Sequence, residues 1–131
     1  MTTYALTITV PSKHVTTLSA NSRKHWRTKA AATAELRMLA RTAAARTPRR
    51  MDRARLDVTL GWPDRRRRDA GNAYPAIKAL VDGIVDSGWL DDDSDAYLDG
   101  PFLRSTYAGV RGSVVVTLMF TPLVVEGVAS A

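Results

Sequence analysis

The chain has 131 residues, 45% of them hydrophobic and 24% charged, which supplies one modest core and no second domain. With no Cys and only two His, it excludes a disulfide scaffold, a thiolate zinc site and a Cys nucleophile. Carboxylates are then the main ligands available to a divalent cation, a set that favours Mg²⁺ or Mn²⁺ over zinc. The net charge of +6 is unevenly divided: residues 1–70 hold sixteen Lys and Arg against five acidic residues, and residues 71–131 hold three against eight. Fifteen of the cations are Arg, which grips phosphate bidentately, and eleven of the anions are Asp. A basic half joined to an acidic half points to a polyanionic partner together with a cation site. A GC-rich coding sequence also inflates Arg, Ala, Asp and Gly, so the clustering of these residues carries more information than their number.

In chain order, Tyr4 to Val10 alternates with period two, with Tyr4, Leu6, Ile8 and Val10 on one face, and predicts a half-buried strand stopped by Pro11. After a polar loop, Ser22 is the expected cap of a helix running to about Arg46, where Thr47-Pro48 ends it. Its expected apolar stripe is Trp26, Ala30, Leu36, Leu39, Ala40 and Ala43. Arg55 to Trp62 alternates again, with Leu56, Val58, Leu60 and Trp62 inward, and Pro63-Asp64 closes that strand. Asn72 is the expected cap of a second helix with Pro75 in its first turn. Ile77, Leu80, Val81, Ile84 and Val85 form its apolar stripe, and Gly88 stops it. Lys78, Asp82 and Asp86 follow one another at i, i+4 on the opposite side. Tyr97 to Tyr107 reads as extended with an interruption at Gly100-Pro101. Gly109 to Gly112 then turns the chain into Val114, Val116, Leu118 and Phe120 as the last strand of a hairpin. The order β-α-β-α-β-β predicts a single α+β domain over residues 1–122, a mixed sheet with two helices on one face, and a frayed tail over residues 123–131. The apolar stretch Gly112 to Val125 is too short and too interrupted for a membrane span, and no secretory signal opens the sequence. A cytoplasmic protein with no membrane partner is therefore expected.

Three constellations carry chemistry. Arg65, Arg66, Arg67 and Arg68 concentrate positive charge at a strand-to-helix junction where a phosphate backbone can lie, and Asp69 follows at once with a carboxylate for a cation. Asp91-Asp92-Asp93, with Asp95 nearby, packs like charges that repel unless a cation or the Arg run offsets them. Asp69 and Asp92 lie about 24 Å apart along an ideal helix over residues 72–87, so they meet only if the acidic loop folds back or across a dimer interface. Asn21, Arg23 and His25 stand ready for phosphates at the opening of the first helix, with Trp26 expected in the core.

The succession Ser19-Ala20-Asn21-Ser22-Arg23-Lys24-His25-Trp26, Asp64-Arg65-Arg66-Arg67-Arg68-Asp69-Ala70-Gly71-Asn72, Lys78-Ala79-Leu80-Val81-Asp82-Gly83 and Gly88-Trp89-Leu90-Asp91-Asp92-Asp93 resembles the RusA family of Holliday junction resolvases, over about Tyr4 to Phe120. The resemblance implies a small homodimeric, Mg²⁺-dependent endodeoxyribonuclease that cuts four-way DNA junctions in recombination and repair, in a bacterial or phage-infected cell. It implies that Asp69 matches the first Asp of the family's Asp-x-Asp-Asn signature. Asp92 then matches the Asp of the segment completing the metal site, and Lys78 the family's helical Lys. Asp69, Asp92 and Lys78 are the expected catalytic residues, with Asp91 or Asp93 as a further ligand and Lys78 offsetting charge on the scissile phosphate. Arg65 to Arg68, Asn21, Arg23, His25 and Asn72 would hold DNA. Gly71 stands where the family pattern has its second Asp. That substitution keeps open a rival reading, a protein that binds junctions or other nucleic acid on the same fold without cleaving them. An RNA-binding domain is a weaker third reading, since the sequence shows no aromatic-rich strand pair for stacking bases.

Overall fold

The computed structural model describes residues 2–124. Strand β1 (Tyr4–Pro11) runs directly into a short helix, α1 (Ser12–Thr17), in the region expected to be a polar loop. Helix α2 (Trp26–Ala45) leads to β2 (Ala54–Trp62), a 3₁₀ turn (Ala70–Ala73) leads into α3 (Tyr74–Asp86), and β3 (Leu98–Tyr107) and β4 (Ser113–Pro122) follow. Both helix starts differ from expectation. His25, not Ser22, caps α2, its Nδ1 accepting the Arg27 N–H at 3.1 Å. Asp69, not Asn72, makes the capping bond at the second helical segment, accepting the Gly71 N–H at 3.0 Å, because the chain enters α3 through the 3₁₀ turn. Gly88, at φ +97°, stops the segment after α3 as its position predicts.

The strands form one mixed sheet in the order β1-β4-β2-β3, with β4 antiparallel to both neighbours and β2 parallel to β3. The architecture is α+β. The expected β3–β4 hairpin does not form, because β2 comes between them. Val114, Val116, Leu118 and Phe120 are fully buried and take β4 to the centre, whereas β3, carrying exposed Arg104, Ser105 and Thr106, is left at the edge. The crossover through α3 then brings β3 back parallel to β2.

One sheet face is covered by helix and one is open, so Leu56, Val58 and Leu60 are buried while Thr9 and Met119 are exposed. The α2 stripe lies further round than expected: Ala32, Leu36, Ala40 and Ala44 are buried, whereas Trp26 is two-thirds exposed and Ala30 is exposed. Small side chains face α3 because the two helices approach closely. A Cβ built on Gly83 would meet the Arg37 carbonyl oxygen and come within 3.0 Å of the Ala40 Cβ. Trp89 closes the core, its Nε1–H donating to the Ala44 carbonyl at 3.1 Å and its ring set edge-on to Phe120. Leu123 is still fastened, its N–H donating to the Arg53 carbonyl at 2.8 Å. The rest of the expected frayed tail, residues 125–131, lies outside the described residues. Among the described residues no helix is long and apolar enough to cross a membrane.

Candidate nucleic-acid interface

The arginine run lies on the loop between β2 and the 3₁₀ turn, and its four side chains have different tasks. Arg68 organises the loop. Its guanidinium donates to the carbonyls of Asp64 (3.0 Å) and Arg66 (3.2 Å), pairs with the Asp64 carboxylate at 2.9 Å, and sits 4.6 Å from the Trp62 ring centroid. The Arg66 N–H and the Arg68 guanidinium hold the Asp64 carboxyl below the usual carboxylate range. Arg65 lies over the Tyr107 ring at 4.4 Å, and Arg66 makes a long 3.6 Å pair with Asp64. Arg67 is exposed and makes no ion pair among the described residues. Arg66 and Arg67 are therefore the cations of the run best placed to meet a phosphate.

Asp69 and Asn72 sit on the 3₁₀ turn and line one cleft of about 290 Å³ with Arg67, Arg68 and Trp62; Thr16 and Ser19 form its opposite wall. The Ala20 N–H donates to the Asn72 carbonyl at 3.0 Å, fastening the loop before α2 to this turn. The segments around Asn21 and Asp69, far apart in sequence, thus become neighbours. Asn21, Arg23 and His25 are all exposed on that loop. His25 already uses Nδ1 as the α2 cap, which leaves Nε2 as its outward nitrogen. Trp26 belongs to this exposed surface rather than the core, flanked by the His25 ring and the Arg27 guanidinium.

The acidic loop folds back along α3, but through a different residue from the one the resemblance selects. Asp93 reaches Lys78 at 2.6 Å, and Lys78 also pairs with Asp82 at 2.7 Å. Lys78 is held protonated well above the ordinary lysine range, first by Asp82 and then by Asp93. In return Lys78 lowers the Asp93 carboxyl below its usual range. Asp91 pairs with Arg50 at 2.7 Å, and Asp92 is exposed and in no ion pair among the described residues. Asp91, Asp92 and Lys78 do not line the Asp69 cleft. The expected convergence of Asp69 with Asp91 and Asp92 is absent: among the described residues no three His, Asp or Glu side chains stand together as a metal group. The resemblance puts Asp92 at the site, whereas in the fold it is Asp93 that makes the return contact, to Lys78.

The oxygen ligands on the Asp69 cleft are one carboxylate, the Asn72 amide and two hydroxyls, and the guanidinium groups of Arg67 and Arg68 share its lining. That chemistry suits a hard cation completed by water and substrate phosphate, which is how Mg²⁺ is commonly held. Asp69 and Asn72 are the residues that would hold it.

Three contributors escape the sequence reading. Trp62 packs inward against the core as its place in the alternation predicts, and at the strand end its ring also reaches the rim and supports Arg68. Tyr107 is its register partner on β3, so β2 and β3 each bring one aromatic to this rim. Asp64 gave a signal, as the only carboxylate immediately before the arginine run. No protein-family model matches the chain, and no curated protein matches it either.

Proposed function

We propose that the protein is a metal-dependent, structure-selective endodeoxyribonuclease that resolves four-way DNA junctions by symmetric phosphodiester hydrolysis. The observation that carries this reading is the cleft in which Asp69 and Asn72 stand beside Arg67, with the Asn21 loop fastened to its edge. It puts one open carboxylate among groups suited to phosphate, and it joins two of the segments on which the RusA resemblance rests. Arg66 and Arg67 hold the DNA backbone without reading bases, and Asn21 and Arg23 extend that track. When bound, Mg²⁺ supplies an activated water and neutralises charge on the leaving oxygen. Asp69 and Asn72 orient the site, Arg67 draws the phosphate toward Asp69, and Lys78 acts at a distance by fastening the acidic loop to α3. Two symmetric nicks require two sites, which a two-fold pair of chains provides.

The non-cleaving reading is favoured by two features: Gly71 brings no carboxylate, and no acidic triad converges among the described residues. Cleavage of a four-way junction, a linear duplex and a hairpin RNA, each with Mg²⁺ and with EDTA, separates the two. The endonuclease reading expects paired nicks in the junction alone, lost on chelation. Tight, salt-sensitive junction binding without nicks under any metal supports the non-cleaving alternative.

A further inference from the structure

A second cleft, of about 250 Å³, opens on the other side of Arg68 from Asp69. It is lined by two arginine–aromatic stacks, Arg68 on Trp62 and Arg65 on Tyr107, together with Ser105 and Thr106 of β3. The parallel register sets Trp62 directly opposite Tyr107. Both rings are fixed in place. The Trp62 Nε1–H donates to Ser105 Oγ at 2.9 Å, and the Ala108 and Gly109 N–H groups both donate to the Trp62 carbonyl. Gly109, at φ +71°, lies so close to the Tyr107 ring that a Cβ there would meet its hydroxyl at 3.2 Å. Tyr107 is nonetheless about half exposed, and Arg66 also lines the cleft, its side chain mostly in solvent. Flat π-faces and planar guanidinium groups beside an exposed cation match a nucleobase and its phosphate, and such stacking is tolerant of base identity.

We propose that this cleft takes one unpaired nucleotide of the DNA, its base between the two arginine–aromatic stacks and its phosphate on Arg66. The inference rests on the DNA-directed reading above and deepens it: the protein would select branched DNA by capturing a nucleotide that leaves the stack at the branch point.

The test compares the full-length chain on a linear duplex and on the same duplex carrying one unpaired fluorescent purine analogue. Wild type is expected to bind the second from about fivefold to over a hundredfold more tightly, the worth of one stacked base, and to quench the analogue. Tyr107→Ala brings that affinity ratio toward one, and Tyr107→Phe, which keeps the ring, restores it. No preference in wild type, or a preference that survives Tyr107→Ala, overturns the subsite. A chain that cuts junctions without the preference overturns the subsite alone. One that shows the preference without cutting junctions leaves the subsite standing and overturns the endonuclease reading, and failure to bind either duplex overturns the subsite.

Discussion

A side chain at position 71 would begin 3.3 Å from Asp69 Oδ1, in space that is otherwise open. Gly71→Asp therefore asks the Asp69 carboxylate to give by only a few tenths of an ångström, and it places a second carboxylate beside the first. Junction cleavage is expected to rise by about a hundredfold, comparable to one strong catalytic electrostatic contact. Single-turnover cleavage measures it, and an unchanged rate would show that position 71 is not a ligand position. Lys78 makes a second residue-scale case. Asp93 has its folded-state carboxyl lowered, so its pairing stabilises the fold at neutral pH and is lost as pH falls below the ordinary carboxylate value of about 3.9. Lys78 is shifted upward, so its contribution is present below about pH 10.4 and is lost only as pH rises beyond. Lys78→Met should cost under about 1 kcal/mol at neutral pH, since the ammonium is partly exposed, and should flatten the acid limb of stability. Urea midpoints across pH measure both effects; an acid limb as steep as in wild type would mean that the Asp93 pair does not contribute.

The α2–α3 contact turns on Gly83, which lets the two backbones approach. Helix propensity alone predicts that Gly83→Ala stabilises by about 1 kcal/mol, whereas overpacking predicts a loss of about 1–3 kcal/mol. The steric term should win, and a urea midpoint reads the sign. This contact also explains which elements were legible in the sequence. The period-two runs of β1, β2 and β4 and the helical stripe of α3 report which side chains face a core, so those elements appear close to their expected bounds. In the α2 stripe Leu36, Leu39, Ala40 and Ala43 do pack on the core, whereas Trp26 and Ala30 are exposed and Ala32 and Ala44 were missed, because hydrophobicity favours Trp26 over alanines while a close helix contact selects small size. The β3–β4 hairpin was misread because alternation describes one strand's faces and says nothing of its partner; that was decided by the greater burial of β4.

Across the whole molecule, four cations of the basic half identified from composition line two adjoining clefts, with Arg66 and Arg67 open and Arg65 and Arg68 stacked on aromatics. The sequence made the arginine run, Asp69 and Asn72 legible as a site because they are contiguous. It hid that Asp93, rather than Asp92, turns back onto α3 to pair with Lys78, and it hid Trp62 and Tyr107, which are set opposite each other only by strand pairing. Arg67→Gln should weaken junction binding across sequences and reduce the slope of log affinity against log salt by about one, the loss of one phosphate contact. An unchanged slope would place Arg67 off the DNA track. The most direct measurement is junction cleavage by wild type and Asp69→Asn at protein concentrations that saturate binding of each. The account predicts symmetric, Mg²⁺-dependent nicks from wild type and their loss in Asp69→Asn while the junction stays bound. Equal cutting by both proteins, or cutting that persists in EDTA, would contradict it.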